Sequence, residues 1–207
     1  MVRVEEADAE VPALAGVVLC GGGSRRMGSD KALLVFDGER LVDRAVRRLR
    51  AVADPVLLAR GARPLTVAGC ATVADSGDAG PLGGIVAGLR ASPHALTAVV
   101  AVDMPWLDAE LLALLATSCG PGDDAVLPLS QERWEPLHAV YARSALSAME
   151  HALDDRVLRL GTVLERLRVR TIDAGSALGS ERATRFCINL NTAADLLSQE
   201  AASRADA

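Results

Sequence analysis

The sequence predicts an α/β fold around a mostly parallel sheet. Short apolar, β-branched runs alternate along the chain with segments of helical period, and the runs are continuous, as in strands covered on both faces. Size agrees. With 207 residues, 50% hydrophobic and 24% charged, the chain can bury a sizeable core as one domain and needs no covalent staple. No internal repeat and no long Pro/Gly/Ser linker divides it.

The elements follow in order. The acidic opening "MVRVEEADAE" belongs to a flexible tail over residues 1–14, and the domain spans 15–207. "AGVVLC" gives a first strand over Val17–Cys20, ended by glycines. Further strands are expected where apolar runs meet turn residues: Val56–Ala59, Ala71–Ala74, Ala98–Val102, Ala125–Leu129, Leu137–Tyr141, Val169–Ile172 and a short edge at Ile188–Leu190. Helical spacing predicts helices over Leu41–Val52, Leu82–Ala91, Ala109–Ser118, Ala145–Leu153, Val157–Leu167 and Ala193–Ala202. Asp108 is placed to cap the helix whose apolar stripe is Leu111, Leu112, Leu114 and Leu115. Either Asn191 or Thr192 can cap the last helix. The basic run "RAVRRLR" (44–50) reads as one solvated helix face.

Charge and cysteine usage exclude some function classes. A net charge of −5 opposes sequence-independent nucleic-acid binding, which needs a basic surface. No apolar run reaches membrane-spanning length, and an acidic start is unlike a signal peptide. Cys20, Cys70, Cys119 and Cys187 are widely spaced, with no CxxC pair, which points to reduced thiols in a cytoplasmic protein.

The chemistry concentrates in "VVLCGGGSRRMGSDKALL" (17–34). Where a first strand ends in a glycine-rich turn, successive backbone N–H groups can converge on an anion. Arg25, Arg26 and Lys31 add fixed cations there, a combination suited to a polyphosphate. The stretch is not a Walker A loop, because Gly28 and Lys31 are not contiguous, nor a dinucleotide fingerprint, because Arg26 stands where the third glycine belongs. Downstream, Asp103 ends the apolar run "AVVAVDMP" (98–105), where a carboxylate projects into the crevice at the strand ends, and Pro105 stops the strand. Asp75 follows another strand and precedes the Gly80–Pro81 turn.

"LCGGGSRRMGSDKALL" resembles the signature L-A-G-G-x-S-x-R-M-G-x-D-K-x-L-L of molybdenum cofactor guanylyltransferases, with Cys20 at the usual alanine. "VADSGDAGPLGG" (73–84) is similar to the family's aspartate followed by G-P-L-x-G. "EPLHAVY" (135–141) is similar to its P-L-x-A-x-Y, and "NLNTAADL" (189–196) to its N-x-N-T-P-x-D-L, with Ala193 for proline. The family often has asparagine where Ala59 and Arg60 stand.

The resemblance implies a single Rossmann-like three-layer domain that transfers GMP from GTP to the terminal phosphate of molybdenum-molybdopterin, releasing pyrophosphate. It implies that Leu19, Cys20, Gly21, Lys31, Asp75 and Asp103 contact the nucleotide, and that Asp103 binds Mg²⁺. Lys31 with Arg25 or Arg26 would steady the leaving pyrophosphate. Asn189 and Asn191 would approach the pterin side, and Arg156 and Arg159 are further candidates for its phosphate. A client molybdoenzyme or chaperone would receive the product. Three other readings stay open: a cytidylyltransferase on the same pterin, a sugar-phosphate nucleotidyltransferase, and a non-catalytic nucleotide-binding adaptor that delivers the cofactor.

Overall fold

A computed structural model describes residues 12–21, 30–62, 64–75 and 78–205 of the chain. It begins with β1 (Leu14–Leu19), buried along its whole length. A single 3-10 turn over Lys31–Leu33 follows, its start fixed by the Asp30 carboxylate, which accepts from the Ala32 N–H at 3.1 Å. β2 (Val35–Phe36) and β3 (Glu39–Arg40) form a small hairpin. Its turn residues, Asp37 and Gly38, have φ of 49° and 78°, the left-handed pair that a two-residue hairpin turn requires.

Then come α1 (Leu41–Leu49), β4 (Val56–Ala59), β5 (Ala71–Val73), α2 (Gly80–Ala91), β6 (Leu96–Ala101) and α3 (Ala109–Thr117). The second half contains β7 (Ala125–Ser130), β8 (Arg133–Trp134), β9 (His138–Ala142), α4 (Ala145–Asp154), α5 (Leu160–Leu164) and β10 (Val169–Asp173). The chain closes with α6 (Ala174–Leu178), α7 (Ser180–Arg185) and α8 (Ala193–Ala205).

The main sheet has the order β10-β7-β9-β6-β1-β4-β5, with β8 added on β7. β1 pairs in parallel with both β4 and β6, and β7 with β10. β9 is antiparallel to both its neighbours, so β7 again points the same way as β6. The sheet is thus mostly parallel, as expected. Side chains alternate between its faces. Val18 and Val100 pack under α1 and α3 through Leu49 and Leu111, whereas Val17 and Val99 pack under α2 and α4 through Ile85 and Met149. That makes a three-layer α/β/α domain. α2 lies close on β1 because a Cβ at Gly88 would fall 2.5 Å from Val17 Cγ2.

Three expectations are corrected. Residues 188–190 form no edge strand; the segment crosses the carboxyl ends of the strands, and the Leu190 N–H donates to the Asp103 carbonyl at 2.9 Å. The helix expected over 157–167 contracts to α5: residues 157–159, after Arg156 with its φ of 59°, are irregular, and 165–167 form a turn. The basic run 44–50 is a solvated face only in part: Arg47 and Arg50 are exposed, but Arg44 and Arg48 turn to the protein. Arg44 is buried, lying over the rings of Phe36 and Trp106 with its Nε donating to the Pro105 carbonyl at 2.8 Å, and Arg48 Nη1 donates to the Leu107 carbonyl at 2.7 Å. Long stems and flat guanidinium groups let arginine cover apolar surface while satisfying loop carbonyls.

Candidate active site

The chain leaves β1, adds β4 and β5 on one side, then returns to place β6 on the other. The carboxyl ends of β1 and β6 therefore flank a topological switch point, the place where open α/β sheets bind ligands. Main-chain bonds fasten these ends: the Cys20 N–H donates to the Ala59 carbonyl at 2.8 Å and the Val102 N–H to the Leu19 carbonyl at 3.1 Å.

Two charged side chains meet there. Lys31 Nζ donates to Asp103 Oδ2 at 2.8 Å across a sequence separation of 72 residues. Both side chains are about four-fifths shielded from solvent, at 19% and 20% exposed. The same ammonium donates to Asn191 Oδ1 at 2.9 Å. An ammonium has three donors, and the third meets no protein acceptor among the described residues. It is available to a phosphate oxygen.

The surroundings hold this pair from several directions. Asp103 is gripped through its own carbonyl by Leu190, and the loop beyond it by Arg44 and Arg48. Trp106 Nε1 donates to Gln199 Oε1 of α8 at 2.9 Å. Asn191 is fixed by the start of α8, where Thr192 Oγ1 accepts from the Asp195 N–H at 3.1 Å and Asp195 Oδ2 accepts from the N–H groups of Asn191 and Thr192, each at 2.8 Å. This reciprocal cap, through the Asn191 and then the Thr192 amide, holds the Asp195 carboxyl below its usual range.

The other candidates divide by position. On the β4–β5 side, a Cβ added to Gly21 or to Gly84 of α2 would lie 3.5 Å from Asp75 Oδ2, so the Asp75 carboxylate sits between the exit of β1 and the first turns of α2. Leu19 and Cys20 are buried, the Cys20 thiol donates to the Val18 carbonyl, and the Leu19 carbonyl and Cys20 N–H are taken up by the Val102 and Ala59 main chain. Asn189 makes its side-chain hydrogen bond within its own segment, donating through Nδ2 to the Cys187 carbonyl at 3.0 Å. Arg156 is exposed, with Nη1 3.8 Å from Asp78 Oδ2. Arg25 and Arg26, with Gly22 and Gly23, lie outside the described residues.

The site's chemistry is electrostatic. Among the described residues no group of three or more His, Cys, Asp or Glu side chains could hold a metal ion by itself. A lone, partly shielded carboxylate fits Mg²⁺, which retains waters and takes its remaining ligands from substrate phosphates. Sequence reasoning missed that Asn191 touches the lysine and that Arg44 and Arg48 brace the loop after Asp103; only the topology brings these segments together.

A family model described as a MobA-like NTP transferase domain matches residues 16–171. A probable molybdenum cofactor guanylyltransferase of Opitutus terrae is 44% identical over 151 residues, covering 70% of this chain and 74% of the relative. A molybdenum cofactor guanylyltransferase of Desulfosudis oleivorans is 32% identical over 197 residues, covering 93% and 97%. Among solved structures, the molybdopterin-guanine dinucleotide biosynthesis protein A of Archaeoglobus fulgidus superposes with a TM-score of 0.76 at 24% identity, covering 92% of this chain and 99% of that one. The 2-C-methyl-D-erythritol 4-phosphate cytidylyltransferase of Thermus thermophilus gives 0.64 at 18%, covering 93% and 99%. These two likenesses establish a shared fold.

Proposed function

The chain belongs to the family of MobA-like NTP transferase domains, and from that premise we propose that this nucleotidyltransferase moves GMP from GTP to the terminal phosphate of molybdenum-molybdopterin. The observation that carries the reading is the contact between Lys31 and Asp103 at the switch point. It supports the reading because it brings an ammonium and a carboxylate able to hold a metal ion together near the end of β1, where amides would hold a triphosphate.

An oxygen of the acceptor phosphate attacks the α-phosphorus of GTP, a new P–O bond forms, and the bond to the β-phosphate breaks, releasing pyrophosphate. Both partners are anions at neutral pH, so no side chain need form a covalent intermediate; the protein's task is positioning and charge compensation. Asp103 is the residue that would hold Mg²⁺, which would supply positive charge to offset the negative charge of the substrate phosphates. Lys31 hydrogen-bonds the departing pyrophosphate with its third donor, steered by Asn191. The amide of Gly21 opens the phosphate cradle, and Arg25 and Arg26 belong to the same stretch. Asp75, beside Gly21 and Gly84, borders the nucleotide half. No helix among the described residues is long and apolar enough to cross a membrane, and the four cysteines are free thiols.

Pyrophosphate release measured with GTP, CTP and ATP, each with molybdenum-molybdopterin, tests the reading. GTP should be used fastest. CTP in its place would transfer the assignment to a cytidylyltransferase, and nucleotide binding without pyrophosphate release would make the chain an adaptor. Lys31→Ala and Asp103→Ala should each lose about 100-fold or more in turnover with the fold intact; near-normal turnover in either would refute its role.

A further inference from the structure

One carboxylate at the ligand-binding end of the sheet makes no hydrogen bond or ion pair among the described residues. β7 ends at the same edge as β1 and β6, and its hairpin with β8 stands above that edge. The pairing of Ser130 with Arg133 continues past β8, where the Glu135 N–H donates to the Pro128 carbonyl at 3.1 Å. Opposed residues of an antiparallel pair share a face, so Glu135 lies on the face of Pro128, Arg133 and Ser130. Ser130 Oγ donates to the Ala183 carbonyl of α7. This is therefore the face crossed by the 187–191 segment that ends on Lys31.

The position is well fixed. The Glu135 carbonyl accepts from the His138 N–H at 3.1 Å, and the buried Tyr141 hydroxyl donates to the Pro136 carbonyl at 2.9 Å. The Leu137 carbonyl accepts from the Ala101 N–H at 2.9 Å, at the end of β6 and just before Asp103. Glu135 itself is half-buried, and among the described residues its carboxylate makes no hydrogen bond or ion pair. Burial pushes its carboxyl up, against the opposing pull of Arg133. A partly desolvated, unpaired carboxylate is costly unless a ligand supplies donors.

Asp75, Gly21 and α2 lie on the β4–β5 side of Lys31 and Asp103, whereas Glu135 lies on the β9–β7 side, the half left for the acceptor. A carboxylate's two oxygens match two parallel N–H groups. We propose that Glu135 is a substrate-recognition residue whose carboxylate accepts the paired N–H groups on the 2-aminopyrimidinone edge of the acceptor's pterin. This inference rests on the acceptor assignment made above. Guanine carries the same donor pair, so the experiment must separate the two ligands.

Binding of a 6-substituted pterin phosphate, of the matching lumazine phosphate, which has an oxo group in place of the 2-amino group, and of GTP should be measured on the full chain and on Glu135→Gln and Glu135→Asp. The wild type should prefer the pterin over the lumazine. Glu135→Gln should weaken pterin binding about 10- to 100-fold, the loss of a charge-assisted pair, leave GTP binding unchanged and keep the wild-type melting temperature. Glu135→Asp should recover part of the preference. Equal affinity for pterin and lumazine, no pterin binding by the wild type, undiminished pterin binding by Glu135→Gln, or a loss confined to GTP would each overturn the inference. If the pterin preference appears as described but no guanylyl transfer occurs, the proposed reaction fails and Glu135 stands.

Discussion

Asn191 shows how much one side chain can do without touching a reacting bond. Its Oδ1 takes one of the donors of Lys31 while Asp103 takes another, so in the proposed reaction the ammonium would meet a phosphate from a fixed direction. Asn191→Ala should lower turnover about 10-fold, since misplacement of a catalytic group by about 1 Å costs up to 100-fold; because Asn191 is exposed, the melting temperature should hold. Steady-state rates beside a thermal melt check both halves. His138 acts on stability instead. It is fully buried, its Nε2 lies 3.1 Å from the Asp108 carbonyl, and burial pushes it from the ordinary 6.5 down to about 4. The unfolded chain thus binds a proton between these values that the folded chain refuses, and stability falls as pH drops through 6.5. Urea unfolding should show a loss of about 2 kcal/mol from this group between about pH 7 and pH 5, and His138→Gln should flatten that dependence.

Among the elements, α2 and the β2–β3 hairpin show what local pattern can and cannot reveal. Gly88→Ala would gain about 1 kcal/mol in helix propensity, but its methyl would strike Val17 Cγ2 at 2.5 Å, a stiff side chain on a central strand. Overpacking of this kind costs about 1 to 3 kcal/mol, so net destabilisation is expected, read as a lower denaturant midpoint. The hairpin was legible but unread: "VFDGER" carries an Asp-Gly pair between short apolar and polar runs, the strongest local hairpin signal. The parallel strands were legible because both faces of the sheet are covered. The burial of Arg44 was not, since helix periodicity says which face is polar but not that Phe36 and Trp106 will be stacked against it. Lys31 and Asp103 were individually marked by their motifs. Their contact depends on a crossover that no local pattern encodes.

For the molecule as a whole, α8 contributes little core and much order. None of its residues is fully buried, yet it holds Trp106 through Gln199, Asp37 through Ser203, and Asn191 through Asp195. A chain stopped after Thr192 should keep its sheet by circular dichroism while losing at least about 10-fold in turnover, because the anchor of the 187–191 segment goes with the helix. Comparable loss of secondary structure and activity would contradict that division.

The strap from Leu190 to Asp103 carries a temporal consequence. Lys31 and Asp103 both emerge from the ribosome long before the segment that steadies them, so a partly synthesised chain can assemble its sheet while its chemistry stays unfinished. On the proposed reading, competence would arrive only once residues 187–191 have emerged and folded back over Asp103.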